Sequence, residues 1–206
     1  KMKFNFKYSF KLIFLFLLLV CVSCSKNFPT SEINLSFPSK IAKIEGNHAI
    51  FIKKNFFQLN KNISSDDCES WALNLDLENL FVESYTILSN KMFQKVSLFR
   101  EDFNDSFLKN KLYNSVLVLE KNTAHLDFKT VGNKGKFKIT LDSNFKVKGD
   151  RKEVNNNLNS QQTWEKNIYL NCRLDEGAKK ATEEAFKSLI NQAYSNIYES
   201  VFTVTR

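Results

Sequence analysis

Hydrophobic and polar positions divide the chain into segments with different periods. An apolar run without a charge extends from Leu12 to Val22. A polar stretch follows from Ser25 to about Asn47, holding both prolines and no helical period. "HAIFIKK" (48–54) is β-branched and aromatic, and predicts a strand. In "SWALNLDL", Trp71, Leu73, Leu75 and Leu77 alternate, again predicting a strand. After Asp76 the period changes. Leu77, Leu80, Phe81, Ser84, Leu88 and Met92 recur at three and four, with Ile87 and Val96 alongside. This predicts an amphipathic helix of about 20 residues with Asp76 as N-cap.

"REDFNDSFLKNKLY" reads as a polar connection with one helical turn. "SVLVLEK" (115–121) suits a buried central strand. Ala124, Leu126 and Phe128 alternate. "VGNKG" then gives a turn, and Phe137, Ile139 and Leu141 alternate again. "DSN" (142–144) is expected to bulge or turn the chain, and "GDRKEVNNNLNSQQ" to form a long polar hairpin tip before the strand "TWEKNIYLN". Ala178, Ala181, Ala185, Leu189, Ala193 and Ile197 mark one stripe of a long final helix. The fold class that follows is α+β: an antiparallel or mixed sheet with two long helices packed on one face. Three regions are expected: a leader over 1–23, a tether over 24–47 and a single globular domain over 48–206.

The oily run changes the picture of location. A helix that crosses a bilayer needs about 20 apolar residues. Here Leu12–Val22 supplies eleven, preceded by Lys1, Lys3, Lys7 and Lys11 and followed by small Ser23. That arrangement is the export-signal pattern. "CVSC" followed by "SKN" resembles the lipobox of bacterial lipoproteins, with Ser23 and Cys24 at its last two positions and Cys21 where leucine is usual. The resemblance implies a diacylglyceryl group on the Cys24 thiol, cleavage before Cys24, acylation of the new amino group with a palmitate-type chain, and a lipid anchor in the cell envelope. Ser25, in place of Asp, implies the periplasmic face of the outer membrane.

Charge and chemistry-bearing residues narrow the function classes. The net charge is +8, and setting aside the four leading lysines leaves +4. Only four arginines are present. That is no nucleic-acid footprint. No HExxH, GxSxG, P-loop, GxGxxG or CxxC spacing occurs. His48 and His125 are the only histidines, and neither sits in a recognisable ligand pattern. The acidic groups Asp66, Asp67 and Glu69, and Asp76 with Glu78, suit a solvated loop and a helix N-terminus. No catalytic residue, metal site or cofactor is expected. Cys68 and Cys172 remain as an expected disulfide of an exported domain.

"DLENLFVESYTILSNKMFQKV", "GKFKITLDSNFKVKGDRKEV" and "ATEEAFKSLINQAYSNIYES" give an order similar to YajG-like lipoproteins, the curli-export lipoprotein and the TolB amino-terminal domain. That resemblance implies an envelope α+β domain and carries no functional residue with it. The functional expectation is a non-enzymatic envelope lipoprotein, held at the membrane by its anchor and acting through contact with envelope proteins. The alternative expectation is an accessory subunit of a lipid or lipopolysaccharide transport system that holds an amphiphile in an apolar groove.

Overall fold

The computed structural model describes residues 26–28, 35, 37, 42–64, 73–110, 112–167 and 175–206. Its backbone is three long strands with shorter ones beside them. β6 (Ser115–Val131) and β7 (Lys134–Lys148) form a hairpin whose turn is Gly132–Asn133. Gly132 takes a positive φ of 59° there, which a two-residue hairpin turn demands. β8 (Glu153–Asn167) pairs antiparallel with β7 over its full length. On the other side of β6 lie β2 (Ile44–Ile52) and β3 (Phe57–Ser64), end to end and both parallel to it. β5 (Phe93–Phe99) adds in parallel beyond β2. The sheet is therefore mixed and six-stranded, in the order β5-β2-β6-β7-β8 with β3 beside β6. Two shorter strands, β1 (Lys26–Phe28) and β4 (Leu73–Leu75), form a separate parallel pair.

One register break organises the sheet. Leu119 pairs with Phe145 and Lys121 with Asn144, so Glu120 is an extra residue in β6. Side chains alternate with period two, so one extra residue moves the core-facing set to the other parity. Leu117 and Leu119 face the main core before the break, and Ala124 and Leu126 face it afterwards. At the same level the chain leaves β6 between β2 and β3: Lys53 N–H donates to the Leu119 carbonyl, and Asn122 N–H to the Phe56 carbonyl. "DSN" does not break β7. Its alternation runs unbroken through Asp142, Ser143 and Asn144, and the bulge lies on the partner strand.

Two long helices cover one face, as expected. α1 (Leu77–Met92) starts at Asp76, whose Oδ1 accepts the Asn79 N–H at 3.2 Å. It has 16 residues, fewer than the expected 20, because Phe93 turns extended (φ −100°, ψ 146°). Val96, expected on the helix, pairs instead with His48 in β5. Strand pairing overrides the continued helical period there. Leu77, which fits both the strand alternation and the helical series, begins the helix after its expected cap. α2 (Ser106–Lys109) is the single turn expected in the polar connection. α3 (Asp175–Thr205) buries the predicted stripe: Ala178, Ala181, Ala185, Leu189, Ala193 and Ile197 are all within 4% of full burial. Its small residues permit close approach. A Cβ on Gly177 would lie inside the Trp164 ring.

The main core lies between the helices and the sheet. Phe81, Tyr85 and Leu88 of α1 and Phe186, Leu189 and Ile190 of α3 close over Ile50, Leu117, Phe137, Ile139 and Phe145. Burial of such side chains contributes roughly 1.5–3 kcal/mol each. A second, smaller cluster lies on the opposite face: Ala49, Phe51, Leu108, Val116 and Val118, edged by Phe99, Phe103, Phe107 and Tyr113.

Two further expectations change. "GDRKEVNNNLNSQQ" is not a long tip: the turn takes only Gly149–Lys152, and β8 starts at Glu153. "FQLNKNIS", not read as a strand, is β3. Within the stretch expected as a tether, Lys26–Phe28 pairs with Leu73–Leu75, and Leu35 and Phe37 pack partly buried on the core.

Candidate interaction surface

The second cluster covers only the part of the outer face near β2, β5 and the start of β6. Beyond the Glu120 bulge, the outer face of β3, β6, β7 and β8 carries a grid of polar side chains. Strand register sets its rows. One row runs Asn60, His125, Thr140, Gln161; the next runs Gln58, Thr123, Asp142, Asn159; a third runs Asn62, Asp127, Lys138, Thr163. The sequence builds this because each of these positions alternates with a core-facing one.

The grid is knitted by hydrogen bonds. Asp142 accepts from Thr123 Oγ1 at 3.2 Å and from Asn159 Nδ2 at 2.6 Å. Asn60 Nδ2 donates to His125 Nδ1 at 3.3 Å, and His125 Nε2 lies 3.9 Å from Asp142 Oδ2. A shallow depression of about 310 Å³ lies over Asn60, Asn62, His125, Asp127, Lys138 and Gln161. It presents amide, imidazole, carboxylate and ammonium groups side by side.

At the bulge, Glu120 is held between Lys53 and Lys146, each at 3.1 Å. Partial burial alone pushes its carboxyl up, but hydrogen bonds from Lys146 and Lys53 and their charges outweigh this and hold it below the usual carboxylate value.

Among the described residues, two other titratable groups have shifted equilibria, and both lie inside. Burial lowers the pKa of His48, countered in part by its bond to the Glu45 carbonyl. Its Nε2–H donates to that carbonyl at 3.0 Å, which leaves Nδ1 to accept the Ser115 hydroxyl at 2.8 Å. Its ring stacks on Phe93 with centroids 4.3 Å apart. His48 and Ser115 are each 1% exposed, so the pair ties β2 to β6 out of reach of any substrate. Tyr85 is the second group. Burial raises its pKa strongly, against a smaller opposite effect of its bond to Ser143. Ser143 in turn donates to Asn122 Oδ1.

The space between the helices, lined by Ser84, Tyr85, Leu88, Leu189, Ile190 and Ala193, has no room for a water molecule. Among the described residues, no three His, Cys, Asp or Glu side chains group to hold a metal ion. Among them too, no helix is long and apolar enough to cross a membrane. Cys24, Cys68 and Cys172 lie outside the described residues, as do Asp66, Asp67 and Glu69. Asp76 is the N-cap of α1. His125 stands on the open sheet face, as its place in the alternation suggests, and His48 is inside. The sequence reading missed the polar grid and the β8 edge. Their signal was the spacing of Val154, Leu158 and Trp164 at even positions, diluted by Asn156 and Ser160 between them.

No family model matches the chain. No curated protein matches it either. Solved structures similar to it include one described provisionally as a neuraminyllactose-binding hemagglutinin homolog from Helicobacter pylori, at 11% identity and a TM-score of 0.44, over 84% of this chain and 97% of that one. A minor lipoprotein from Acinetobacter baumannii matches at 13% identity and a TM-score of 0.35, over 70% of this chain and 94% of that one. A hypothetical protein from Chlamydia trachomatis matches at 12% identity and a TM-score of 0.39, over 77% of this chain and 98% of that one. At these scores the likeness leaves function to be argued from the chain's own residues.

Proposed function

We propose that the protein is a lipid-anchored, non-enzymatic component of a bacterial envelope that works by docking other proteins on its sheet. The observation that carries this is the outer face of β3, β6, β7 and β8: a broad, regular polar surface left open by helices that close only the other side. A surface of this kind offers many hydrogen-bonding groups in fixed register and no reacting centre. The anchor rests on the lipobox-like stretch ending at Cys24. Two or more acyl chains make such attachment stable where one is marginal. The filled space between α1 and α3 supports docking over the alternative of an amphiphile held in a groove.

The test has two arms. Cys24→Ser is expected to abolish incorporation of an alkynyl palmitate analogue and to move the chain out of the detergent phase on phase partition. Retention of both properties would overturn the anchor. Affinity purification from membranes is expected to recover envelope proteins with the natural chain, and to lose them when Thr140 and Gln161 are both changed to Glu. Co-purifying lipid above background, with no protein, would overturn the docking role.

A further inference from the structure

The free edge of the sheet at β8 is unlike its other edges. β5 carries Lys95 and β3 carries Lys61 within their lengths, and charges of this kind keep edge strands from pairing with other chains. β8 has 15 residues; its charges, Glu153, Glu165 and Lys166, sit at its two ends, and the eleven residues from Val154 to Trp164 between them hold no charge and no proline. Its register against β7 has no bulge. Among the described residues it pairs only with β7.

The helix beside that edge shares the pattern. α3 carries no charge from Ser188 to Tyr198, although Ser188, Asn191, Gln192, Ser195 and Asn196 are exposed or half-exposed. One quarter of the chain is charged, so two such bands are a departure. The fold sets them side by side. Ser160 Oγ donates to the Ala185 carbonyl at 2.8 Å, and Gln192 Nε2 donates to the Asn159 carbonyl at 3.0 Å. The Gln192 bond also shows which groups face outward. Gly149 N–H donates to the Lys152 carbonyl, so even positions of β8 turn toward β7 and odd ones toward the open edge. Depletion of charge is the mark of an interface centre.

We infer that β8 and the adjoining face of α3 bind a second copy of this chain, joining two sheets antiparallel across a two-fold axis at Ser160. That register uses all 15 residues of the edge. It sets Asn159 opposite Gln161, Asn157 opposite Thr163, Asn155 opposite Glu165 and Glu153 opposite Asn167, with no like charges facing. The outward backbone groups of odd positions meet one another, and Gln192 yields its place on the Asn159 carbonyl to the partner's backbone. α3 packs over both β7 and β8, so strand spacing puts the two α3 helices about 10 Å apart, a normal packing distance. The faces that meet there are Ser188, Gln192 and Asn196. A chain whose net charge is +4 once the four leading lysines are set aside meets itself most easily where it carries none.

The test uses the full chain in membranes, with a photo-reactive benzoylphenylalanine at Asn157 and, as control, at Gln94 on β5. Irradiation is expected to give a product of twice the chain mass from position 157 only. Two further variants read the register. Asn155→Glu sets two carboxylates opposite each other across the axis and is expected to cut the doubled product at least five-fold. Asn155→Lys faces Glu165 and is expected to keep it. Within one chain position 155 pairs with Lys146, so the Glu variant is favoured by its own fold and its loss of product is not misfolding. No doubled product, or equal loss in both variants, overturns the inference. A product with a different envelope protein also overturns it while supporting the docking function.

Discussion

The phenolic oxygen of Tyr85 lies 2.6 Å from Oγ of Ser143, joining the middle of α1 to the middle of β7 through an apolar core. Ser143 donates onward to Asn122, so the Tyr85 hydroxyl is the donor to Ser143. A buried polar group left without its partner costs about 1–3 kcal/mol. Tyr85→Phe is expected to lose about 1–2 kcal/mol of stability. Ser143→Ala strands both the tyrosine hydroxyl and the Asn122 oxygen, and is expected to lose roughly 2–4 kcal/mol. Urea unfolding at neutral pH measures both. The raised pKa of Tyr85 adds a pH signature. Its folded-state value lies above the unfolded value of 10.0, so this stabilisation is complete below pH 10 and is lost as pH rises beyond it. Tyr85→Phe is expected to flatten that alkaline slope.

His48 sets the acid-side behaviour. Its folded-state pKa lies below the model-peptide value of 6.5, so both states are neutral above that pH and folding is unaffected there. As pH falls through 6.5 the unfolded chain takes up a proton that the folded chain refuses, and stability declines until the folded pKa is passed. His48→Gln is expected to be less stable at pH 8, through lost stacking on Phe93, yet to lose the decline between pH 7 and pH 5. Denaturation midpoints at several pH values check this.

Glu120 fixes the bulge from the outside. Its depressed pKa means that its contribution is present above the unfolded value of 4.5 and is lost as pH falls through the folded one. The side chain is 27% exposed, and its partners Lys53 and Lys146 are 38% and 30% exposed. Solvent therefore screens the pairs, and Glu120→Gln is expected to cost no more than about 1 kcal/mol. The effect is expected to vanish in 1 M salt, read as a shift in melting temperature.

Gly177 shows two effects of opposite sign. Alanine in a helix is favoured over glycine by roughly 1 kcal/mol. The added Cβ, however, would enter the Trp164 ring, and overpacking of this kind costs about 1–3 kcal/mol. Gly177→Ala is expected to lower the melting temperature, because the start of α3 must lift from β8. Gly177→Ala combined with Trp164→Leu is expected to recover most of the loss.

The parts of the fold read most clearly from the sequence were those where one physical signal dominates. Asp76 stands at a change of period and caps α1. The alanine stripe of α3 has no competing explanation as a strand. The parts missed were those decided by partners distant in sequence. Val96 continues the helical spacing of α1, but His48 offers it a strand register, and pairing wins. The first part of β8 reads as a loop because Asn155, Asn156, Asn157, Asn159 and Ser160 are turn-formers in isolation. They form a strand because β7 supplies a full ladder and α3 supplies groups for Asn156 and Ser160 to bond. Of the interaction surface, the alternation of Phe137, Ile139 and Leu141 in β7, which turns the residues between them outward, was legible. Its union with β3 was not, because that parallel pairing joins Phe57 to Asn122 across the whole of α1 and β5.

The pairing of β1 with β4 bears on how an acylated Cys24 would hold the domain. Lys26 is already in register with Leu73, and Leu75 at the other end of β4 is buried in the core directly before α1. Only Ser25 separates that strand from the cysteine, a reach of about 7 Å. Such a connection acts as a hinge pin rather than a rope. An anchor at Cys24 would keep the β1–β4 pair within two residues of the lipid, the Leu73 end of β4 first.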